Sequence, residues 1–344
     1  MTDVSPGRFL QDKGVTSDKT ALALKVFSGT VLEAFVSSTK FYDNTGNIIS
    51  TKQLEHGKSA QWPVIGNDPT ASYHTPGTFM SGGEIQSMEK IVNVDDYLVS
   101  YIDVAYADIN LSHFDVMRPY ARKLGRALAT DMDKKLARVA CNAANEDAVA
   151  SIHGGGNVVA RTAAGGTVVI SDVFPDSSTG SGNFRNDVAK LARLQDEDAV
   201  PEAGRYLFIN PYIRSILRHE TDIFNRDYNP DALAGNLNTR VIGTLEGYSL
   251  IVSNNMPTDN LTSGPAAYQG NFSGTVGQGS PAAIALCGAQ EGSAAVGLVQ
   301  AAGLTSHIER DERRNTYFLK SQMMVGADTL SPWCAGMVTW ADDA

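Results

Sequence analysis

Three cysteines in 344 residues leave little room for a disulfide framework or a zinc site. Cys141, Cys287 and Cys334 stand far apart, with no C-x-x-C pair, and read as free buried thiols of a cytosol-made protein. Positive charge is also short. The 28 Lys and Arg stand against 38 Asp and Glu, a net charge of −10. A protein whose main task is gripping nucleic acid needs a cation for each phosphate contact, so that class does not fit the whole chain. Long apolar runs are missing. The most apolar stretch, 282–299, is interrupted by Gln290-Glu291 and several glycines, which excludes a membrane span. The opening residues, Met1-Thr2-Asp3-Val4-Ser5-Pro6, lack the basic-then-apolar pattern of a signal peptide.

Catalytic constellations are equally thin. Ser37-Ser38-Thr39-Lys40 matches S-x-x-K without that motif's companions. Gly154-Gly155-Gly156-Asn157 lacks the spacing of a phosphate loop or a dinucleotide fingerprint. His219-Glu220 has no second histidine at helical spacing for zinc. The reading is a protein that is not an enzyme, with no catalytic residue, metal ligand or cofactor.

What the chain has in quantity is glycine, 32 residues, many clustered with Ser, Asn and Thr. That pattern predicts many turns and a sizeable strand content. The length allows two packed domains or one large one. Residues 1–20 are polar and punctuated by Gly and Pro, which predicts an arm ordered by contact with something else. The runs 21–27 and 31–35 predict a short helix with Asp18 as its N-cap. Asp43-Asn44-Thr45-Gly46-Asn47 reads as a turn between two extended runs within 37–55. Gly57 to Gly66 alternates as a strand, and Pro63 confines it to an edge or a projecting position. Met88 to Tyr106 reads as one long β-like run. Between the two lies a turn-rich tip, 67–83. Together they predict an extended hairpin with little core of its own, resting on a partner surface.

The strongest helix signal covers about Asp115 to Asn142. Met117, Ala121, Leu124, Leu128, Met132 and Val139 share one face, and Pro119 fits only the first turn. The opposite face carries Arg118, Arg122 and Arg126 at four-residue spacing, a basic row in an acidic chain. Beyond the glycines at 154–156, Val158-Val159 and Thr167 to Ile170 predict a hairpin. A second helix spans Phe184 to Gln195 with Val188, Leu191 and Leu194 inward. Arg205 to Ile209 reads as a buried strand, and Asn210-Pro211 as the N-cap and first turn of a helix through Leu217. Then come a hairpin at 243–252, a loop at 257–280, and strands at 283–286 and 294–299. Long strands fill 304–324 around the charged run Glu309-Arg310-Asp311-Glu312-Arg313-Arg314.

The order of these elements resembles a known family. The stretches that carry the likeness are 23–35 (ALKVFSGTVLEAF), 57–66 (GKSAQWPVIG), His113-Phe114-Asp115-Val116 with Leu124-Gly125, and Val200-Pro201 before Arg205-Tyr206-Leu207-Phe208. Gly247-Tyr248, Glu309-Arg310, Arg313-Arg314 and Asn315 follow in the same order. The chain resembles the major capsid proteins of tailed phages with the Hong Kong 97 fold, in the short-tailed podoviral (autographivirus-type) branch. The resemblance implies an α+β fold in four parts: an N-terminal arm (1–55), an extended E-loop hairpin (56–90), a peripheral domain and an axial domain (151–300). The peripheral domain would hold the long spine helix and a long β-sheet, from 91–150 and the C-terminal strands 301–344. The axial domain would hold a central sheet and flanking helices.

It further implies a virion shell protein, assembled in the host cytoplasm into pentamers and hexamers of an icosahedral head. T = 7 is the family expectation. Implied partners are further copies of itself, a scaffolding protein, a portal vertex, a possible decoration protein, and packaged double-stranded DNA through weak non-specific contact; a membrane is not among them. The alternative with the same fold is an encapsulin-type compartment. Two readings accompany each candidate site. Arg118, Arg122 and Arg126 are either a solvated face paired with Asp131 and Asp133, or an interior stripe facing scaffold and then DNA. Glu309, Arg310, Arg313 and Arg314 are either a solvated loop or a source of ion pairs between subunits. Trp62 and Tyr73 either pack on their own strand or meet a neighbouring subunit, and Lys58 joins that candidate interface or is an ordinary surface lysine.

Overall fold

The structure, a computed structural model, describes residues 19–42, 48–66, 84–111, 117–150, 152–160, 184–202, 204–219, 243–272, 280–287 and 294–340. Shorter pieces at 68–69, 71, 73–79, 82, 162–163 and 166–167 are also described. In chain order the helices are α1 (Lys19–Ser38), α2 (Tyr106–Leu111), α3 (Met117–Ala144), α4 (Phe184–Glu197) and α5 (Pro211–His219). The strands begin with β1 (Ile49–Gln53), β2 (Ser59–Ile65), β3 (Ser87–Asn93), β4 (Leu98–Ala105), β5 (Asn157–Ala160), β6 (Thr162–Ala163), β7 (Gly166–Thr167) and β8 (Tyr206–Ile209). They continue with β9 (Thr244–Leu245), β10 (Tyr248–Val252), β11 (Asn260–Leu261), β12 (Gly270–Asn271), β13 (Ser280–Leu286), β14 (Val296–Asp311), β15 (Thr316–Thr329) and β16 (Ala335–Trp340).

Two compact units emerge. Among the described residues the first takes 19–39, 95–133 and 300–325; the second takes 40–94, 134–299 and 326–340. One division, at 299/300, falls beside the axial-domain boundary expected at 300; the others lie at 39/40, 94/95, 133/134 and 325/326. Together the divisions cut through α3, β14 and β15, elements long enough to belong to both units.

The first unit packs helices on a sheet. β14, β15 and β4 lie side by side in that order. β15 pairs β4 antiparallel from Thr316↔Ala105 to Met323↔Leu98. Phe27, Val31, Val104, Ala121, Leu124 and Leu319 form the buried core, drawn from α1, β4, α3 and β15. Each of the larger side chains, Ala121 excepted, contributes about 1.5–3 kcal/mol when fully buried. α1 and α3 approach each other closely. A Cβ on Gly125 would stand 2.4 Å from the Val31 carbonyl oxygen, so only glycine lets the helices meet there.

The second unit is built on a six-stranded sheet in the order β5-β16-β13-β8-β10-β9. β13 is buried along its whole length and runs antiparallel to β16 and β8. α4 covers the sheet with Phe184, Val188, Leu191 and Gln195, one buried stripe at helical spacing. It lies so close that a Cβ on Gly336 would be 2.8 Å from a Leu191 methyl. The Tyr248 hydroxyl donates to the buried Gln195 Oε1 at 2.6 Å. Arg205 enters β8 with its guanidinium bonded to Asp196 at 2.7 Å and to the Val200 and Pro201 carbonyls. Asn210 caps α5 as expected, its Oδ1 accepting from the Tyr212 amide at 3.2 Å. β9 and β10 turn through Glu246 and Gly247, both at positive φ, the two-residue geometry that matches strand twist. Arg138, buried in α3, holds the loop after β10: it donates to Asp259 Oδ1 at 2.7 Å and lies over the Phe272 ring.

Several expectations need correction. The segment 37–55 is not two extended runs: α1 continues to Ser38, and only β1 is extended, while the turn residues 43–47 and the cap Asp18 lie outside the described residues. The Met88–Tyr106 run is two strands, β3 and β4, broken at Val94-Asp95-Asp96-Tyr97. There the chain leaves its hairpin partner for β15, and consecutive charged residues interrupt the alternation. Val158-Val159 lie in β5, parallel to β16 in the six-stranded sheet; the small hairpin is β6 with β7. The expected strands at 294–299 and from 304 are one 16-residue strand, β14. The C-terminal strand β16 belongs to the same sheet as β8 and β13, not with the long strands before it.

Gly125→Val is expected to destabilise the chain by about 1–3 kcal/mol in denaturant unfolding, since the blocking atom is backbone and cannot rotate away. Gly29→Ala, on α1 with nothing within 4 Å of the added Cβ, is expected to stabilise it by about 0.5–1 kcal/mol. Equal effects would contradict the close helix approach.

Candidate assembly surfaces

β2 and β3 form a two-stranded antiparallel sheet with no third strand among the described residues. Its register runs from Ser59↔Asn93 to Ile65↔Ser87, and the Gly66 amide adds one more bond to the Gln86 carbonyl at 2.8 Å. Alternation sorts the side chains. Ala60, Trp62 and Val64 on β2, with Met88, Lys90 and Val92 on β3, turn to the buried or half-buried face. Ile65 and Ile91 turn to the exposed one, Ile65 at 73%. Beyond the ladder every described residue from 68 to 86 is exposed, and Tyr73 and Phe79 are bare to solvent. Pro63 is tolerated because each strand of a two-stranded sheet keeps one open edge.

The sequence candidates divide here. Tyr73 and Lys58 are exposed, with the tyrosine ring touching nothing that would hide it. Trp62 is half-buried against its own chain: its indole Nε1 donates to Ser50 Oγ at 3.2 Å, and Lys52 Nζ sits 4.4 Å above the ring. These contacts are to β1 and not to its own strand. Opposite Trp62 in register is Lys90, a residue the sequence reading passed over. Its ammonium bonds Glu146 Oε1 at 2.6 Å and reaches Thr329 Oγ1 at 3.4 Å. Thr329 in turn donates to Glu146 Oε2 at 2.6 Å.

In the first unit Arg118, Arg122 and Arg126 lie exposed in one row on α3. None has an ion pair among the described residues. Of the two acids suggested as their partners, Asp133 is completely buried and so is no surface counter-ion. The tip between β14 and β15 is ordered by Asp311, whose Oδ1 accepts from the amides of Arg313 and Arg314. Arg314 also pairs with Asp103 and Asp311 at 3.9 and 3.8 Å. Arg310 reaches Glu312 at 3.9 Å and lies over the Tyr106 ring. Arg313 and Glu309 are exposed. The alternating charges thus already pair partly within the chain, at exposed sites where each pair is worth about 0–1 kcal/mol.

Among the described residues, no cluster of three or more His, Cys, Asp or Glu could hold a metal, and no helix is long and apolar enough to cross a membrane. The three cysteines are buried and unpaired. Burial pushes the Cys141 thiol far up, and a hydrogen bond with Cys287 together with burial does the same to Cys334, which keeps both un-ionised.

A family model described as Gp10A-like, major capsid protein, matches residues 61–339. The chain belongs to that family. Against the major capsid protein of Escherichia phage T7 it is 37% identical over 129 residues, 36% of this chain and 35% of that one. It therefore spans about a third of the length of the curated relatives it matches. The capsid structure of Cyanophage P-SCSP1u is similar over 99% of this chain and 100% of that chain, with a TM-score of 0.72 and 26% identity. The mature capsid of bacteriophage PhiM1 matches over 88% of this chain and 86% of that one, with a TM-score of 0.68 and 16% identity, a likeness of fold alone. The fold is thus the Hong Kong 97 capsid fold expected from the sequence. The phage-capsid match across 61–339 also counts against the encapsulin alternative.

Because Trp62 is held by its own chain and Tyr73 is not, the two should differ in the unassembled protein. Trp62→Ala is expected to cost about 1–3 kcal/mol in denaturant unfolding, and Tyr73→Ser to stay within about 0.5 kcal/mol. A large loss at Tyr73 would contradict its placement.

Proposed function

We propose that this protein is the shell-building subunit of a short-tailed phage head, located in the virion and joined to copies of itself through its hairpin. The observation that carries the reading is the exposed apolar set Ile65, Tyr73, Phe79, Ile85 and Ile91 on a hairpin with two strands among the described residues. Such a hairpin is marginal in water, and apolar surface of this kind is kept where a partner buries it. A hairpin from one copy placed on a different surface of the next makes a head-to-tail contact. That contact closes into rings when the rotation allows, as pentamers and hexamers require. Membership of a capsid family and likeness to phage capsids support the same reading.

The remaining partners follow from that role. The exposed arginine row on α3 suits scaffolding protein during assembly and DNA phosphates afterwards, as a weak, salt-sensitive contact. The net charge of −10 keeps that contact from becoming tight adhesion elsewhere on the surface. A portal vertex completes the head, and Arg313 and Glu309 are the residues of the charged tip most available to a neighbouring subunit.

Tyr73→Ser with Phe79→Ser is expected to abolish closed particles in electron microscopy, because buried interface aromatics are worth about 2 kcal/mol or more each. Normal particles would remove the hairpin as an interface. Arg118→Gln, Arg122→Gln and Arg126→Gln together are expected to leave subunit stability unchanged while reducing assembly or DNA content. Particles that form and fill normally would leave the row a solvated face.

A further inference from the structure

The hairpin's seated face is apolar except at one point. Ala60 and Val64 on β2, and Met88 and Val92 on β3, flank the cross-strand pair Trp62↔Lys90. Apolar contact is non-directional and would seat the hairpin at several angles with similar energy. Lys90 breaks that degeneracy. Its ammonium binds Glu146, just past the end of α3, at 2.6 Å, and Thr329, the last residue of β15, at 3.4 Å. The Thr329 hydroxyl closes the triangle onto the second Glu146 oxygen at 2.6 Å. Both partner groups are held in turn. The Glu146 carbonyl accepts from the Gly156 amide at 2.8 Å, and the Thr329 amide donates to Asp328 Oδ1 at 2.8 Å. Lys90 and Glu146 are only 20% and 29% exposed, and Thr329 is buried. On the same rung Trp62 is tied to β1 through Ser50 and Lys52. A few residues along, a Cβ on Gly326 would stand 2.0 Å from the Asn93 carbonyl oxygen, so the backbone of β15 backs the inner end of β3.

We propose that Lys90 is a positioning residue: with Glu146 and Thr329 it forms a polar latch that fixes the direction in which the hairpin presents Tyr73 and Phe79 to the next copy. The proposal deepens the assembly reading and rests on it for its purpose, though not for its geometry. A directional charge-assisted contact inside an apolar seat selects one arrangement among several, the best-attested use of such a pair. Loss of the latch leaves the hairpin attached by its apolar face and by Trp62, but free to change its angle.

The test uses the unassembled full-length chain, so its outcome does not depend on shells forming. Amide hydrogen exchange is measured for the wild type, Lys90→Met, the isosteric Glu146→Gln, and the exchanged pair Lys90→Glu with Glu146→Lys. Exchange in β2 and β3 is expected to rise about tenfold in each single variant, with β8, β13 and β16 unchanged, and to return towards wild type in the exchanged pair. Unchanged exchange in β2 and β3 would overturn the latch. So would an equal rise in the six-stranded sheet, which would mean general destabilisation. The assembly reading fails separately, if the hairpin-tip variants with an intact latch still form normal particles.

Discussion

A hairpin of two strands has one face too many. Each strand buries side chains on one side only, and among the described residues no third strand hides the other. In this chain the inner face, with Ala60, Val64 and Val92, is buried. The outer face and the tip keep Ile65, Tyr73, Phe79, Ile85 and Ile91 in water. On the proposed assembly role, another copy covers that surface and recovers the cost of its exposure.

The rest of the chain supplies what such a contact requires. The second unit offers a rigid seat, since β13 is buried throughout and α4 is pressed onto the sheet through Gly336. Long side-chain hydrogen bonds, not local turns, lock its loops: Arg138 to Asp259, and Asn142 to the Ala267 and Gln269 carbonyls. Rigidity matters because a lattice repeats each subunit many times, and an angular error at one contact accumulates around a ring. The first unit contributes different chemistry. Its helix carries exposed arginines without counter-ions among the described residues, on a protein that is otherwise acidic.

Much of this was legible in the sequence wherever periodicity is local. The buried stripe of α3, the stripe of α4, the Asn210 cap and the alternation of β2 all follow from residue spacing. Glycines inside strands carry a role that spacing does not show. The strands expected at 294–299 and from 304 are one, β14, and within it Gly297 lies where Leu330 packs 2.8 Å from its would-be Cβ. Gly326 and Gly336 likewise sit inside strands to let another segment approach. Composition cannot separate a glycine that turns the chain from one that makes room. Lys90 was missed for another reason: its partners lie 56 and 239 residues away in sequence, and nothing near it signals a buried pair. The charged run at 309–314 looked available for partners because charge is visible in a sequence, whereas pairing with Asp103 is not.

The central claim is that this chain completes itself only by closing on its own copies. Electron microscopy of the purified full-length protein, expressed with and without a scaffolding protein from the same genome, tests it most directly. Closed shells of uniform size that depend on the scaffold are the predicted result. A single small oligomer under both conditions, with Tyr73 and Phe79 still exposed to solvent, would contradict it.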